Sequence, residues 1–480
     1  MNNKSFPYDA VVVGSGPNGL GAAIRLAQEG LKVLVLEAED TIGGGTRTKE
    51  VTEPGFLHDI CSAVHPTAKA SPFLSSLPLE KYGLEFVHPE YPYAHPLENG
   101  DAVFVHRDLD KTLENLGVDA GQYEKLFSDF VDNWTILQQD LFGSLRIPKN
   151  PLTMARFGWY GMFSADLLSK SLFKSARTRA LFAGCAAHSI VPLEKAFTAS
   201  FGLVLGVTAH TVGWPMAKGG SSKITEAMAS HFKDLGGEIL TEHRVSSASD
   251  IPEAKCVMFD LTPFQIAEIL KDELPGSFRN RLLKYKYGPG AFKIDYALSD
   301  PVPWTNEACR SAGTLHLGGT FEEIAAAEKE IWEGNHPDRP YVLIAQSSVA
   351  DNTRAPEGKH TLWAYCHVPN GSEKDMTRQI EDQIERYAPG FRETIISKRT
   401  MNTKALEKYN SNYIGGDING GAQFARQLFG RPVLKWDPYH LPVKGNYICS
   451  SSSPPGGGVH GMAGFNAANS ALKREFGIKS

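Results

Sequence analysis

Residues 9–37 read "DAVVVGSGPNGLGAAIRLAQEGLKVLVLE", and this stretch constrains the fold more than any other. "AVVV" is continuous, apolar and β-branched, as a buried parallel strand requires. Gly14, Gly16 and Gly19 follow it as G-x-G-x-x-G. Leu20, Ala23, Ile24 and Ala27 then fall on one helix face, and Gly30 stands at a helix C-terminus. "LKVLVLE" is a second strand that ends on Glu37, 23 positions after Gly14. Each part has a mechanical reason. Gly14 permits a tight turn, Gly16 lets backbone approach a pyrophosphate, and Gly19 lets helix and strand pack closely. The helix start offers free N–H groups and a positive dipole end to phosphate. Glu37 is placed to accept hydrogen bonds from ribose hydroxyls and to repel a 2′-phosphate. A lone glycine motif is weak, but strand, helix, strand and acid in register predict dinucleotide binding.

A second glycine cluster separates flavin from nicotinamide binding. After Glu37 comes "AEDTIGGGTRTKEV", with Gly43, Gly44 and Gly45 leading into Thr46 and Arg47. In two-dinucleotide-type flavoproteins such a cluster lets the chain pass beside the pyrophosphate and flavin. The chain then departs from regular βαβ repetition. Residues 84–108 read as antiparallel strands around the Asn99-Gly100 turn. From about 108 to 205 the pattern is helical. "GGSSKITEAMASHFKDLGGEILTEHRVSSA" (219–248) resumes with a helix and a strand "EILTEHRV", which puts Val245 backbone near an adenine. "KCVMFDLTP" (255–263) is a further buried strand. "AFKIDYAL", "RPYVLIAQSSV" and "KHTLWAYCHV" read as strands of a second sheet, and "EKDMTRQIEDQIERYAP" as its helix.

Near the C-terminus "NYICSSSSPPGGGVHGMAGFNAANSAL" repeats the order strand, glycine-rich turn, helix. A mobile linker needs neither the flanking strand nor the apolar helix face carried by Met462, Phe465, Ala468 and Leu472. Its helix start is expected beside the flavin, where its dipole favours negative charge on the ring. The expected architecture is α/β: a discontinuous Rossmann-like FAD-binding domain of the two-dinucleotide-binding type, with an inserted α+β substrate domain. The expected boundaries are 1–83, 206–288 and 432–480 for the FAD domain, and 84–205 and 289–431 for the substrate domain.

Bulk properties exclude little but exclude it firmly. The net charge of -5 opposes broad nucleic-acid binding, which needs a basic field. The six cysteines are scattered singly, with no C-x-x-C pair, so neither a zinc site nor a disulfide framework is expected. That usage, with no signal-peptide pattern before the first strand, points to a reducing, cytoplasmic setting. No window reaches the ~18–20 apolar residues of a membrane span. Residues 156–182 mix Trp159, Met162 and Leu167 with Lys170, Lys174 and Arg177, which suits either peripheral membrane contact or a cover over a cavity.

"VVVGSGPNGLGAAIRLA", "EAEDTIGGGTRT", "PGFLHDICSAVHP", "GPGAFKIDYALSDPVPW", "APEGKHTLWAYCHVP" and "PPGGGVHGMAGFNAA" together resemble the phytoene desaturase-like FAD-dependent oxidoreductases of the amine oxidase superfamily. Within it they most resemble the branch called pyridine nucleotide-disulfide oxidoreductase domain-containing protein 2. The resemblance implies FAD as cofactor. It implies FAD contacts at Gly14, Ser15, Gly16, Gly19, Glu37, Gly44, Gly45, Thr46, Arg47, Val245, Gly458 and Val459. It also implies a hydrophobic substrate, isoprenoid or acyl-like, with a carbon–carbon bond desaturated or saturated by hydride transfer at flavin N5. A flavin-dependent isomerase without net redox and a non-enzymatic FAD-stabilised interaction protein are the alternatives. Relatives often carry a glycine where Ser450 and Ser451 stand, so phosphate contact there passes to serine hydroxyls and backbone. No metal cluster and no hydrolase motif appear. His65 in "CSAVHP" and His460 in "GGGVHG" are the candidates for moving a proton near the flavin.

Overall fold

The computed structural model describes residues 6–144 and 147–478. Its first layer is a five-stranded sheet in which every neighbouring pair is parallel. In space the strands run Asn446–Ile448, Ala254–Phe259, Tyr8–Val13, Val33–Leu36, Glu238–Leu240. The apolar runs forecast for buried parallel strands are here fully buried, as in Val33–Leu36. Strand order reverses beside Tyr8–Val13, because its two neighbours are reached in opposite directions. Such a switch point opens a crevice at the C-terminal strand ends, where nucleotides bind in open α/β sheets. This is an α/β fold with a Rossmann-like sheet drawn from three separated stretches of chain.

The second layer is a seven-stranded sheet, ordered Ile395–Met401, Gly290–Leu298, His360–Val368, Val342–Ala345, Ala312–Leu317, Tyr91–Pro96, Ala102–Val105. Its two faces are buried in different cores. Phe292, Ile294, Leu315, Ile344 and Ala364 face one, with the amphipathic helix Thr377–Tyr387. Leu343, Ala345, Trp363 and Tyr365 face the other, together with helices from the 109–211 region. The Asn99-Gly100 turn closes Tyr91–Pro96 onto Ala102–Val105, with φ of 60° and 75° at the two residues. Both positive values are what a tight hairpin asks for, and why Asn-Gly serves there.

Several expected strands are shorter than their patterns. "EILTEHRV" is a strand only over Glu238–Leu240. Glu242 turns to φ 55°, and the chain leaves the sheet before Val245. "RPYVLIAQSSV" is extended over Val342–Ala345 and then turns into the helix Ser347–Ala350. Phe86–Val87 pairs with Met216–Ala217 instead of joining the neighbouring hairpin. No described helix is long and apolar enough to cross a membrane.

The first helix, Pro17–Ala27, packs directly on the last long one, Met462–Ala471. A Cβ on Gly464 would stand 1.8 Å from the Asn18 carbonyl oxygen, and one on Gly21 would stand 2.6 Å from that of Gly461. Arg25 Nε donates to Asn469 Oδ1 at 2.8 Å, and Phe73 stacks on Phe465 with centroids 4.9 Å apart. Gly464→Ala is therefore expected to destabilise the fold by about 1–3 kcal/mol through overpacking, despite alanine's better helix propensity. Denaturant unfolding of the two full-length proteins measures this; equal midpoints would disprove the backbone contact.

Candidate cofactor site

A single cavity of about 870 Å³ runs along the switch point and under the seven-stranded sheet. That volume lies near the top of the ~300–1,000 Å³ typical of ligand sites, so it suits a cofactor with a substrate beside it. Gly14, Ser15 and Gly16 line one end. Gly14 has φ 103°, and a Cβ there would press on the Asp260 backbone at 3.2 Å. A Cβ on Gly16 would stand 2.8 Å from Asp260 Oδ2. The helix Pro17–Ala27 starts at Gly16 with no acid in its first turn; Pro17 has no N–H and Gly19 N donates to Asp260, which leaves the Asn18 N–H and the positive dipole end for an anion. Gly19 does not line the cavity. A Cβ there would meet the Gly14 carbonyl oxygen at 2.0 Å, so it serves close helix–strand packing.

Glu37 ends its strand in the cavity wall and is 6% exposed. Its carboxylate accepts from Ser15 N at 3.1 Å, from the Ser15 hydroxyl, from Glu39 N at 3.0 Å and from Arg47 Nη2 at 3.2 Å. These four donors fill the carboxylate's acceptor sites. Ribose hydroxyls would bind here by displacing the Ser15 hydroxyl or the Arg47 guanidinium, the two mobile donors of the set. Gly44 brings the second glycine cluster against the first: its Cβ would stand 3.2 Å from Gly16 Cα. Gly45, Thr46 and Arg47 continue the wall, and Tyr409 covers them, its hydroxyl donating to the Gly44 carbonyl at 2.7 Å. Val245, though outside its expected strand, still lines the nucleotide end.

The C-terminal loop reaches the same cavity. Ser451, Gly457, Gly458, Val459 and His460 line it, with Gly458 at φ 124°. Ser450 does not: its hydroxyl donates to the Leu261 carbonyl at 2.7 Å, which ties the loop to the neighbouring strand end. The two candidate histidines differ in placement. His65 lies outside the cavity wall, fully buried, with Nε2 2.8 Å from the Ser221 hydroxyl. His460 reaches the wall, but both ring nitrogens are engaged. Nδ1 accepts from Met462 N at 3.0 Å, which leaves Nε2 as donor to the Gly456 carbonyl at 3.2 Å. Burial pushes its pKa down to about 4, so the ring stays neutral and folds the loop onto the helix start.

Sequence reading missed Asp260. It follows the strand Ala254–Phe259, lines the cavity and accepts from Gly19 N at 2.9 Å. Burial, reinforced by Glu37, pushes its carboxyl up to about 7. It is a proton-holding group directly beneath the glycine loop. Asn412 braces it, donating to its backbone carbonyl at 2.9 Å. "FDLTP" carries no motif that marks the aspartate; only the parallel pairing of Tyr8–Val13 with Ala254–Phe259 brings it to Gly14.

The other half of the cavity is apolar. Phe157, Met162, Phe197, Phe201, Val204 and Leu205 come from the helical region and cover the sheet face that carries Leu343 and Trp363. Met162 is 46% exposed and Phe429 58% exposed, yet both line the cavity, so its mouth lies between them. Trp159 and Leu167 are exposed in the same helical segment.

Comparison with known proteins agrees with this geometry. Residues 12–77 match the NAD(P)-binding Rossmann-like domain family. Pyridine nucleotide-disulfide oxidoreductase domain-containing protein 2 of Mus musculus is 27% identical, over 96% of this chain and 93% of its own. A lycopene-forming phytoene desaturase of Paracoccus is 21% identical over 95% of each chain. The resemblance to the phytoene desaturase-like oxidoreductases runs from end to end. Among solved structures, an oxidoreductase from Methanosarcina mazei superimposes with a TM-score of 0.65 at 17% identity, over 97% of this chain and 100% of that one. The likeness in fold thus extends over nearly the whole chain and not only the glycine motif.

Asp260 yields a pH test. Its folded pKa is raised, so the stability it contributes is complete below the ordinary carboxylate range and is lost as pH rises toward about 7. Across that window the loss is about 1.4 kcal/mol per pH unit at most. Asp260→Asn keeps an acceptor for Gly19 N and removes the titration. The variant is expected to be the less pH-sensitive protein between pH 4 and 7, and parallel stability–pH curves would refute the assignment.

Proposed function

We propose that the protein is an FAD-dependent oxidoreductase acting on a hydrophobic substrate. One observation carries the reading: glycine loops from opposite ends of the chain line one cavity whose other half is lined mainly by apolar side chains. The donor set suits FAD. The start of Pro17–Ala27 would take the pyrophosphate, Glu37 the ribose, and Val245 the adenine side, while Gly44–Arg47 and Gly458–Val459 would flank the flavin. When bound, FAD supplies a hydride acceptor or donor at N5. The protein's own residues do the rest. Phe157, Phe197 and Phe201 exclude water and hold an apolar chain. The relatives' names support desaturation or saturation of a carbon–carbon bond. Exposed Met162 and Phe429 at the mouth, with exposed Trp159 three residues before Met162, support peripheral membrane contact during substrate uptake.

Purified protein is expected to be yellow or to bind added FAD. Removal of residues from 450 onward is expected to abolish that binding. Because this truncation also strips helix packing, Gly16→Val in the full chain is the companion: FAD affinity should fall at least roughly tenfold with far-UV circular dichroism unchanged. Val204→Trp places a large ring in the apolar half. It should leave FAD content intact while turnover of a long apolar substrate falls roughly tenfold or more. No flavin binding by the intact chain sinks the proposal. Turnover that requires reduced FAD yet consumes no electrons assigns the protein to isomerisation instead.

A further inference from the structure

The sheet face beneath the apolar half of the cavity carries hydrogen-bond donors that no described residue satisfies. Thr314, Ala345 and Trp363 stand side by side on three adjacent strands, and all three line the cavity. Thr314 is 1% exposed and Trp363 8% exposed. Thr314 Oγ1 and Trp363 Nε1 are both buried without a partner. Leaving either orphaned costs on the order of 1–3 kcal/mol, so a matched ligand would recover that cost. The two residues are two strand spacings apart, roughly 9–10 Å between their Cα atoms, a gap the indole partly crosses.

A third donor follows from tautomers. His188 lines the cavity, and its Nε2 is 3.1 Å from His316 Nε2. One proton must lie between these nitrogens. His316 Nδ1 is buried against Gly184 with no partner. An orphaned lone pair costs less than an orphaned N–H, so Nδ1 is bare and Nε2–H donates to His188. His188 then carries its own proton on Nδ1, available to the cavity. Burial lowers both imidazoles, His188 to about 3, so the pair is uncharged. No described lysine or arginine lines this end. Arg47 and Arg244, the lining cations, sit beside Glu37 and Glu39 at the nucleotide end. Lys293, packed under Trp363 at 5.6 Å, is neutralised by Asp295.

Resting on the oxidoreductase reading, we propose that Thr314, Trp363 and His188 form a subsite for a neutral acceptor oxygen, so that the substrate is a long apolar chain bearing a carbonyl or ester and not a pure hydrocarbon. A carboxylate fits less well, because its charge would be buried without a cation.

The test uses FAD-loaded, full-length protein and three probes delivered from cyclodextrin: methyl palmitate, hexadecane and palmitate. Binding is read by equilibrium dialysis. One recovered hydrogen bond is worth about 3–10-fold in affinity, so methyl palmitate should bind about tenfold or more tighter than hexadecane, and palmitate no tighter than the ester. The double variant Thr314→Val, Trp363→Phe should bind methyl palmitate as weakly as hexadecane, with hexadecane affinity within about twofold of wild type and FAD content unchanged. The subsite is overturned by equal affinities for ester and hydrocarbon, by an ester preference that survives the double variant, or by palmitate binding best. It is also overturned by no probe binding, or by loss of FAD from the variant, which would place the donors on the cofactor. A wild-type chain that holds no FAD but still prefers the ester would defeat the oxidoreductase reading and leave the subsite standing.

Discussion

The contact on which the rest depends is backbone against backbone. Pro17–Ala27 and Met462–Ala471 approach until Gly464 meets the Asn18 carbonyl and Gly21 meets that of Gly461. No residue with a Cβ fits at Gly464. This approach brings loops more than 400 residues apart onto one cavity. The linker-like composition of residues 450–464 conceals a rigid element. Glycine serves there for close approach at Gly464 and for positive φ at Gly456, Gly458 and Gly461.

Charge is distributed along the cavity in a way that separates its two ends. At the nucleotide end Glu37 and Arg47 are paired, and Asp260 is held near neutrality by burial. At the other end the wall is mainly apolar, and Thr314, Trp363 and His188 are uncharged polar groups within it. On the same face of the sheet as Trp363 and Tyr365, Lys293 pairs with Asp295, and Arg354 pairs with Asp59. Buried pairs of this kind add little net stability, but losing one partner is expensive, so they fix how strands and loops are registered. Asp59 also accepts from Ser221 N at 2.8 Å, tying the segment after the second glycine cluster to the loop that resumes the parallel sheet.

Legibility in the sequence followed the range of the forces involved. Strand, glycine turn and helix around Gly14 were readable because each depends on neighbours within a few residues. The Asn99-Gly100 hairpin was readable for the same reason. The length of "EILTEHRV" was not, because pairing with Val33–Leu36 ends at Leu240 whatever the propensity beyond it. His65 and His460 looked chemically promising from residue type alone. In the fold His65 Nε2 meets Ser221 while its Nδ1 has no partner among the described residues, and both His460 nitrogens bond the backbone of the C-terminal loop. Asp260, Thr314 and Trp363 carried no local signal, since which way they point depends on strand pairing across the molecule.

The sequence by itself determined the glycine-loop half of the site. Gly14, Gly16 and Gly19 are steric necessities of one turn, and Glu37 is placed by the length of one strand–helix–strand unit. Tertiary structure alone decided the apolar half. Strand register put Thr314, Ala345 and Trp363 in one row, helix packing covered that row with phenylalanines, and burial set which polar groups stay neutral. Short-range sterics are written in adjacent letters; register and desolvation exist only once distant segments have met.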